Sequence, residues 1–141
     1  MKTLKSLTAA LLIFVSASAF AGDDSKDNRS QIEYVVGTYV DAFNYGKIKN
    51  LSAVLDPNVK FTLNVKKAIV SYNKSEMLDY LKVSENIVQN CQANYSLVEA
   101  NDAQAVVKVT LQYEDFSKIN LITLSNTNKG WKITNVSTSF N

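Results

Sequence analysis

The sequence predicts an α+β fold in which a curved, mostly antiparallel sheet of about six strands wraps a long N-terminal helix. Two observations carry this. Ile32, Val35, Val36, Tyr39, Val40 and Phe43 recur at i, i+3, i+4, i+7, i+8 and i+11, which lays one apolar stripe along a helix. Beyond Pro57 the apolar period falls mostly to two, the signature of strands with one buried face. A sheet curved around a single helix makes a cone, and a cone can enclose a pocket.

Taken in order, residues 1–21 have a basic start (Lys2, Lys5), an apolar centre from Leu7 to Val15 and the small-residue ending Ala19-Phe20-Ala21. That is the pattern of a secretory signal peptide cleaved after Ala21, so a periplasmic or secreted location is expected, with no membrane attachment after cleavage. Residues 22–30, small and charged, read as a flexible leader, and 31–141 as one folded domain. Ser30 and Glu33 have the spacing of a capping box, which predicts a helix from Gln31 to Tyr45 ended by Gly46. Gly37 inside this helix is explained if sheet backbone approaches it closely.

Ile48, Leu51, Val54 and Leu55 predict a short second helix over 47–55, stopped by Asp56-Pro57. Val59 to Val65 alternates as a strand, and Ala68 to Tyr72 returns beside it. Asn73 and Glu76 repeat the cap-plus-acid spacing and open a third helix bearing Met77, Leu78 and Leu81. Four strands follow, over 89–99, 104–114, 119–125 and 131–140, with turns at Asn101-Asp102, Phe116 to Lys118 and Asn126 to Gly130. The order is α-α-β-β-α-β-β-β-β.

Composition removes several kinds of chemistry. Lys+Arg falls from 15 to 13 when Lys2 and Lys5 leave with the signal, while Asp+Glu stays at 13, so the mature chain is formally neutral. A neutral chain without a basic patch gives no footing for nucleic acid. With one cysteine, Cys91, no internal disulfide forms, and with no histidine the chain lacks the commonest general base and metal ligand. Neither a metal nor a cofactor is expected.

The run from Tyr39 to Ile48, followed by Leu51, Val54, Leu55, Asp56-Pro57-Asn58 and Val59, with Trp131-Lys132-Ile133 near the end, resembles the nuclear transport factor 2-like superfamily. This cystatin-like cone fold is shared with ketosteroid isomerases, polyketide cyclases and scytalone dehydratase. The chain looks most like the small secreted bacterial proteins called putative lumazine-binding and SnoaL-like. The resemblance implies a cone over Ile32 to Phe140. Registered on the isomerases, it places Tyr39 at their oxyanion-binding tyrosine and Leu63 at their proton-shuttling aspartate. Leucine moves no proton, and the dehydratase histidines have no counterpart, so the resemblance implies a scaffold without the catalytic groups of those enzymes.

Tyr39 and Phe43 on the helix stripe, with Phe61, Tyr95, Tyr113 and Trp131 on strands, form the expected ligand-binding set, an aromatic lining for an apolar or planar molecule. Ordinary core packing is the alternative for each. Asp41 and Asn44 are expected in solvent, Glu114-Asp115 in a turn, and Cys91 packed as a small hydrophobe. Three functions are open at this stage. The first is a non-catalytic binding protein. The second is a homodimer or partner-docking protein with a filled cone, using an outer sheet face carrying Val106, Thr110, Ile122 and Val136. The third is an isomerase- or cyclase-type enzyme built on Tyr39.

Overall fold

The helix stripe forms the inner wall of the core. In the structure, a computed structural model that describes residues 23–141, helix α1 spans Asp23–Tyr45. Along it Ile32, Val35, Val36, Tyr39 and Val40 are buried and Phe43 is half-buried. The signal-peptide reading of residues 1–21 lies outside the described residues.

The helix starts at Asp23, not at Ser30, so the segment read as a flexible leader is helical from Asp23 onward. Ser30 is an exposed position within the helix, and the expected box with Glu33 does not form there. Glu33 instead pairs with Arg29 at 3.3 Å, and Gln31 donates to Asp27 at 3.1 Å, both one helical turn apart. At the other end Gly46 takes φ +67 as expected, and the Lys47 N–H satisfies the Asp41 carbonyl at 3.1 Å.

Helix α2 is only Leu51–Val54, shorter than the apolar spacing predicts, because the chain turns into strand β1 (Leu55–Val65) ahead of the proline. Strand β2 (Ala68–Tyr72) pairs antiparallel with β1. Helix α3 (Lys74–Lys82) opens with the capping box expected at Asn73: its side chain accepts from the Glu76 N–H at 2.9 Å, and the Glu76 carboxylate accepts from the Asn73 N–H at 2.8 Å. Strands β3 (Gln92–Ala100), β4 (Gln104–Gln112), β5 (Ser117–Thr127) and β6 (Gly130–Phe140) complete the sheet.

The six strands lie in the order β2-β1-β6-β5-β4-β3 and the sheet does not close. All neighbours are antiparallel except β1 and β6, which run parallel. Their register shifts between Leu55 and Lys60, which accommodates Pro57 where the ladder is already broken. Among the described residues no helix is long and apolar enough to cross a membrane.

The concave face carries Val107, Val109 and Leu111 of β4, Ile122 and Leu124 of β5, and Ile133 and Val136 of β6, all buried under α1. This corrects the outer-face assignment. Ile122 stands opposite Val107 and Val136 in the ladder, so Ile122 and Val136 belong to the core, and only Val106 and Thr110 face outward. Strand β5 has apolar residues on both faces, Ile119 and Leu121 outside against Ile122 and Leu124 inside, and period two alone does not say which pair is buried.

No sheet backbone approaches Gly37: a Cβ built there meets nothing within 4 Å. Gly37→Ala is therefore expected to stabilise the protein by about 1 kcal/mol, because alanine restricts the unfolded chain and favours the helix. A higher urea midpoint at unchanged slope is the measurement.

Candidate functional site

At one end of the cone the helix and the sheet do not meet. A cavity of about 170 Å³ remains there, walled by Tyr39 and Phe43 of α1, Phe61 and Leu63 of β1, Met77 of α3, Lys118 of β5 and Thr138 of β6. Tyr80 and Phe140, both exposed, also line it and mark its rim. Helical spacing of four brings the Tyr39 and Phe43 rings together, stacked with centroids 4.3 Å apart and planes at 28°.

Polar groups are few. Burial alone acts on the Tyr39 hydroxyl and pushes its pKa far above the ordinary phenol range, so it remains a neutral hydroxyl. Lys118 sits on the concave face because it opposes Leu111 and Phe140 in the ladder, and its Nζ lies 5.5 Å from the centroid of the Phe43 ring. Burial lowers its pKa, opposed by the nearby Cys91 thiol. Thr138 donates to the Asn120 side-chain oxygen at 2.6 Å, while the Asn120 Nδ2, in a residue with 0 % exposure, has no partner among the described residues. One half-satisfied amide thus lies one hydrogen bond behind the cavity wall.

A second polar cluster adjoins this one. The Cys91 thiol donates to the Asn44 side-chain oxygen at 3.0 Å, and the Tyr113 hydroxyl donates to Gln89 Oε1 at 3.4 Å. Burial raises the Cys91 pKa, partly offset by the neighbouring Tyr113 hydroxyl and by Lys118. Tyr113 is pushed up to about 12, by burial first and then by Cys91. Both groups are held in their protonated forms near neutral pH. Among the described residues no three His, Cys, Asp or Glu side chains converge to hold a metal ion.

The family profile described as "Putative lumazine-binding" matches residues 27–139. The chain belongs to that family. No curated protein matches it. Solved structures similar to it share the fold at low identity. One is a nuclear transport factor 2-like protein of unknown function from Silicibacter pomeroyi DSS-3, with TM-score 0.68 and 10% identity, covering 83% of this chain and 98% of its own. A second, also nuclear transport factor 2-like and of unknown function, comes from Shewanella baltica OS155, with TM-score 0.66 and 9% identity over 82% of this chain and 95% of its own. A cystatin-like fold protein from Burkholderia xenovorans LB400 gives TM-score 0.64 and 13% identity over 81% and 92%. The nuclear transport factor 2-like fold expected from the sequence is thus the fold of this chain.

In this lumazine-binding-family chain the six aromatics of the expected lining separate. Tyr39, Phe43 and Phe61 meet at the cavity. Tyr95 is half-buried on β3, its pKa raised by burial and then by Glu33 and Asp41. Tyr113 lies past the end of β4, stacked on Phe116 at 4.5 Å. Trp131 is at the start of β6, buried at 3 % exposure, its indole N–H donating to Asn28 at 3.2 Å. It borders a different cleft, between Gln31, Tyr34 and Lys132.

Leu63 does line the cavity, as an apolar side chain where the isomerase resemblance would put a proton carrier. Glu114 and Asp115 are exposed between β4 and β5. Asn44, expected in solvent, is 2 % exposed and bonded to Cys91. Lys118 is the residue that sequence reasoning missed. Assigned to a turn, it belongs to β5, which begins at Ser117. The available signal was parity: Lys118 stands an even number of residues before Ile122 and Leu124, and so shares their face.

Proposed function

We propose that this chain is an exported, non-catalytic binding protein that holds one small, planar, largely apolar molecule between Tyr39, Phe43 and Phe61. The observation that carries this is the cavity itself: about 170 Å³ of space walled mainly by aromatic and aliphatic side chains. A dry cavity of about 150 Å³ takes one benzene ring, so this space suits a single ring or a compact bicycle. The family's name points to a heterocycle of the lumazine kind, and the N-terminal signal pattern supports export. The absence of histidine and the leucine at position 63 support a role without proton transfer.

A thermal-shift panel of pterins, flavins, sterols and aromatic acids tests this. At 100-fold excess over its Kd a true ligand stabilises by about 2.7 kcal/mol, a rise of about 10 °C for a domain of this size. The rise is expected in the wild type and is lost in Leu63→Phe, which fills the space. A panel in which no compound raises the melting temperature defeats the proposal.

A second reading, a homodimer through the convex sheet face, is favoured by Leu121. It is 45 % exposed on β5, on the same face as Val106 and Thr110. Native mass spectrometry should then show a dimer that Leu121→Lys dissociates; a wild-type monomer at micromolar concentration ends that reading.

A further inference from the structure

The cavity has one charged group and no acid to balance it. Among the residues lining it Lys118 is the one basic side chain, and no aspartate or glutamate is in the wall. Among the described residues the salt bridges are Arg29 with Glu33 and Lys82 with Asp79, so Lys118 has no carboxylate within 4.0 Å. Its ammonium rests over the Phe43 ring, which is a weaker partner than an anion. A cation withdrawn from water without a counter-charge costs stability, and an incoming anion in a largely apolar wall would recover that cost and gain more than it could in solvent.

The lysine is also placed by the fold rather than hanging from a loop. It is fixed on the concave face by its ladder partners Leu111 and Phe140, and shares that face with Asn120, whose amide is hydrogen-bonded to the wall residue Thr138. The Tyr39 hydroxyl, kept protonated by burial, is available as a second, neutral donor. An aromatic wall with an ammonium at its side fits a flat ring carrying a negative oxygen.

We propose that the cavity selects a small aromatic anion, its ring against Phe43 and Phe61 and its carboxylate, or an equivalent ionised ring oxygen, against Lys118. This rests on the binding function proposed above and adds the charge of the ligand to it. A neutral ligand of the same shape is then the poorer one. A cationic one is excluded by the lysine.

Benzoate and benzamide separate these possibilities, because they share shape and differ in charge. Titrated into the full-length protein and followed by NMR chemical shifts of the cavity residues, benzoate is expected to bind at least about ten-fold tighter than benzamide. In Lys118→Met the ratio of the two affinities should fall to about one, whatever either affinity becomes, and in Lys118→Arg the preference for benzoate should persist. Equal affinity of the two probes for the wild type overturns the charge assignment and leaves cavity binding standing. Tighter binding of benzamide does the same. Failure of both probes to shift any cavity resonance overturns the assignment of a small aromatic anion, and the thermal-shift panel then decides the binding function separately. The wild-type comparison decides without any variant, so a misfolded variant does not blunt it.

Discussion

Gly46→Ala is expected to destabilise the protein by about 3 kcal/mol or more. Two costs combine. At φ +67 an alanine sits in the left-handed region, where its Cβ crowds its own carbonyl. The same Cβ would lie 2.6 Å from the Asn86 nitrogen, 2.7 Å from the Ser84 oxygen and 2.8 Å from the Ile87 nitrogen. All three are backbone atoms, so no rotamer change relieves the overlap. The segment they belong to is strapped to the end of α1 by the Asn86 N–H on the Gly46 carbonyl at 3.0 Å and the Gln89 N–H on the Asn44 carbonyl at 2.7 Å. Relief means losing these bonds, which frees the connection between α3 and β3. Urea unfolding should show the lowered midpoint, and amide exchange at Asn86 and Gln89 should rise well beyond the global change. An unchanged midpoint would refute the close approach.

Trp131→Ala is expected to cost about 3–5 kcal/mol while leaving affinity at the Tyr39 cavity unaltered. The indole is buried at 3 % exposure, and removing it opens a void between α1 and the start of β6. It also strands the Asn28 side chain, which ties the first turns of α1 to a strand 103 residues away in sequence. Trp131 is absent from the wall of the cavity that holds Tyr39, Phe43 and Phe61, so stability and binding separate in this variant. Denaturant unfolding and a ligand titration on the same preparation measure both. Affinity falling in step with stability would mean that the indole belongs to the binding site after all.

What could be read from residues alone followed local periodicity. The stripe from Ile32 to Phe43, the alternation of Val59 to Val65 and the Asn73 capping box each depend on neighbours within a turn or two. They therefore announce themselves. The early start of α1 does not, since Asp27, Asn28 and Arg29 have no apolar period and are held by Gln31, Trp131 and Glu33. One of those partners is distant in sequence. The burial of Ile122 turned on which face of the doubly apolar β5 meets the helix, a choice made by packing, and Val136 follows it as its ladder partner on β6.

The site was legible only as far as its apolar part. Tyr39, Phe43 and Phe61 announced themselves as aromatics on inward positions, but nothing local distinguishes them from Trp131, which serves the core at another end. Lys118 was hidden by the habit of giving charged residues to turns. Asn44 was hidden likewise, because a polar residue at the margin of an amphipathic stripe is ordinarily wet, and its burial depends on Cys91 arriving from 47 residues away.

The parallel seam between β1 and β6 has a kinetic consequence. Phe61 finds its ladder partner in Val136, and Leu63 in Thr138, so strands formed early in synthesis wait for those made last. Contacts of such long range must close a large loop before they are rewarded, so the β1–β2 and β3–β4–β5 ladders can form locally, while the two parts of the sheet join only when β6 docks between β1 and β5.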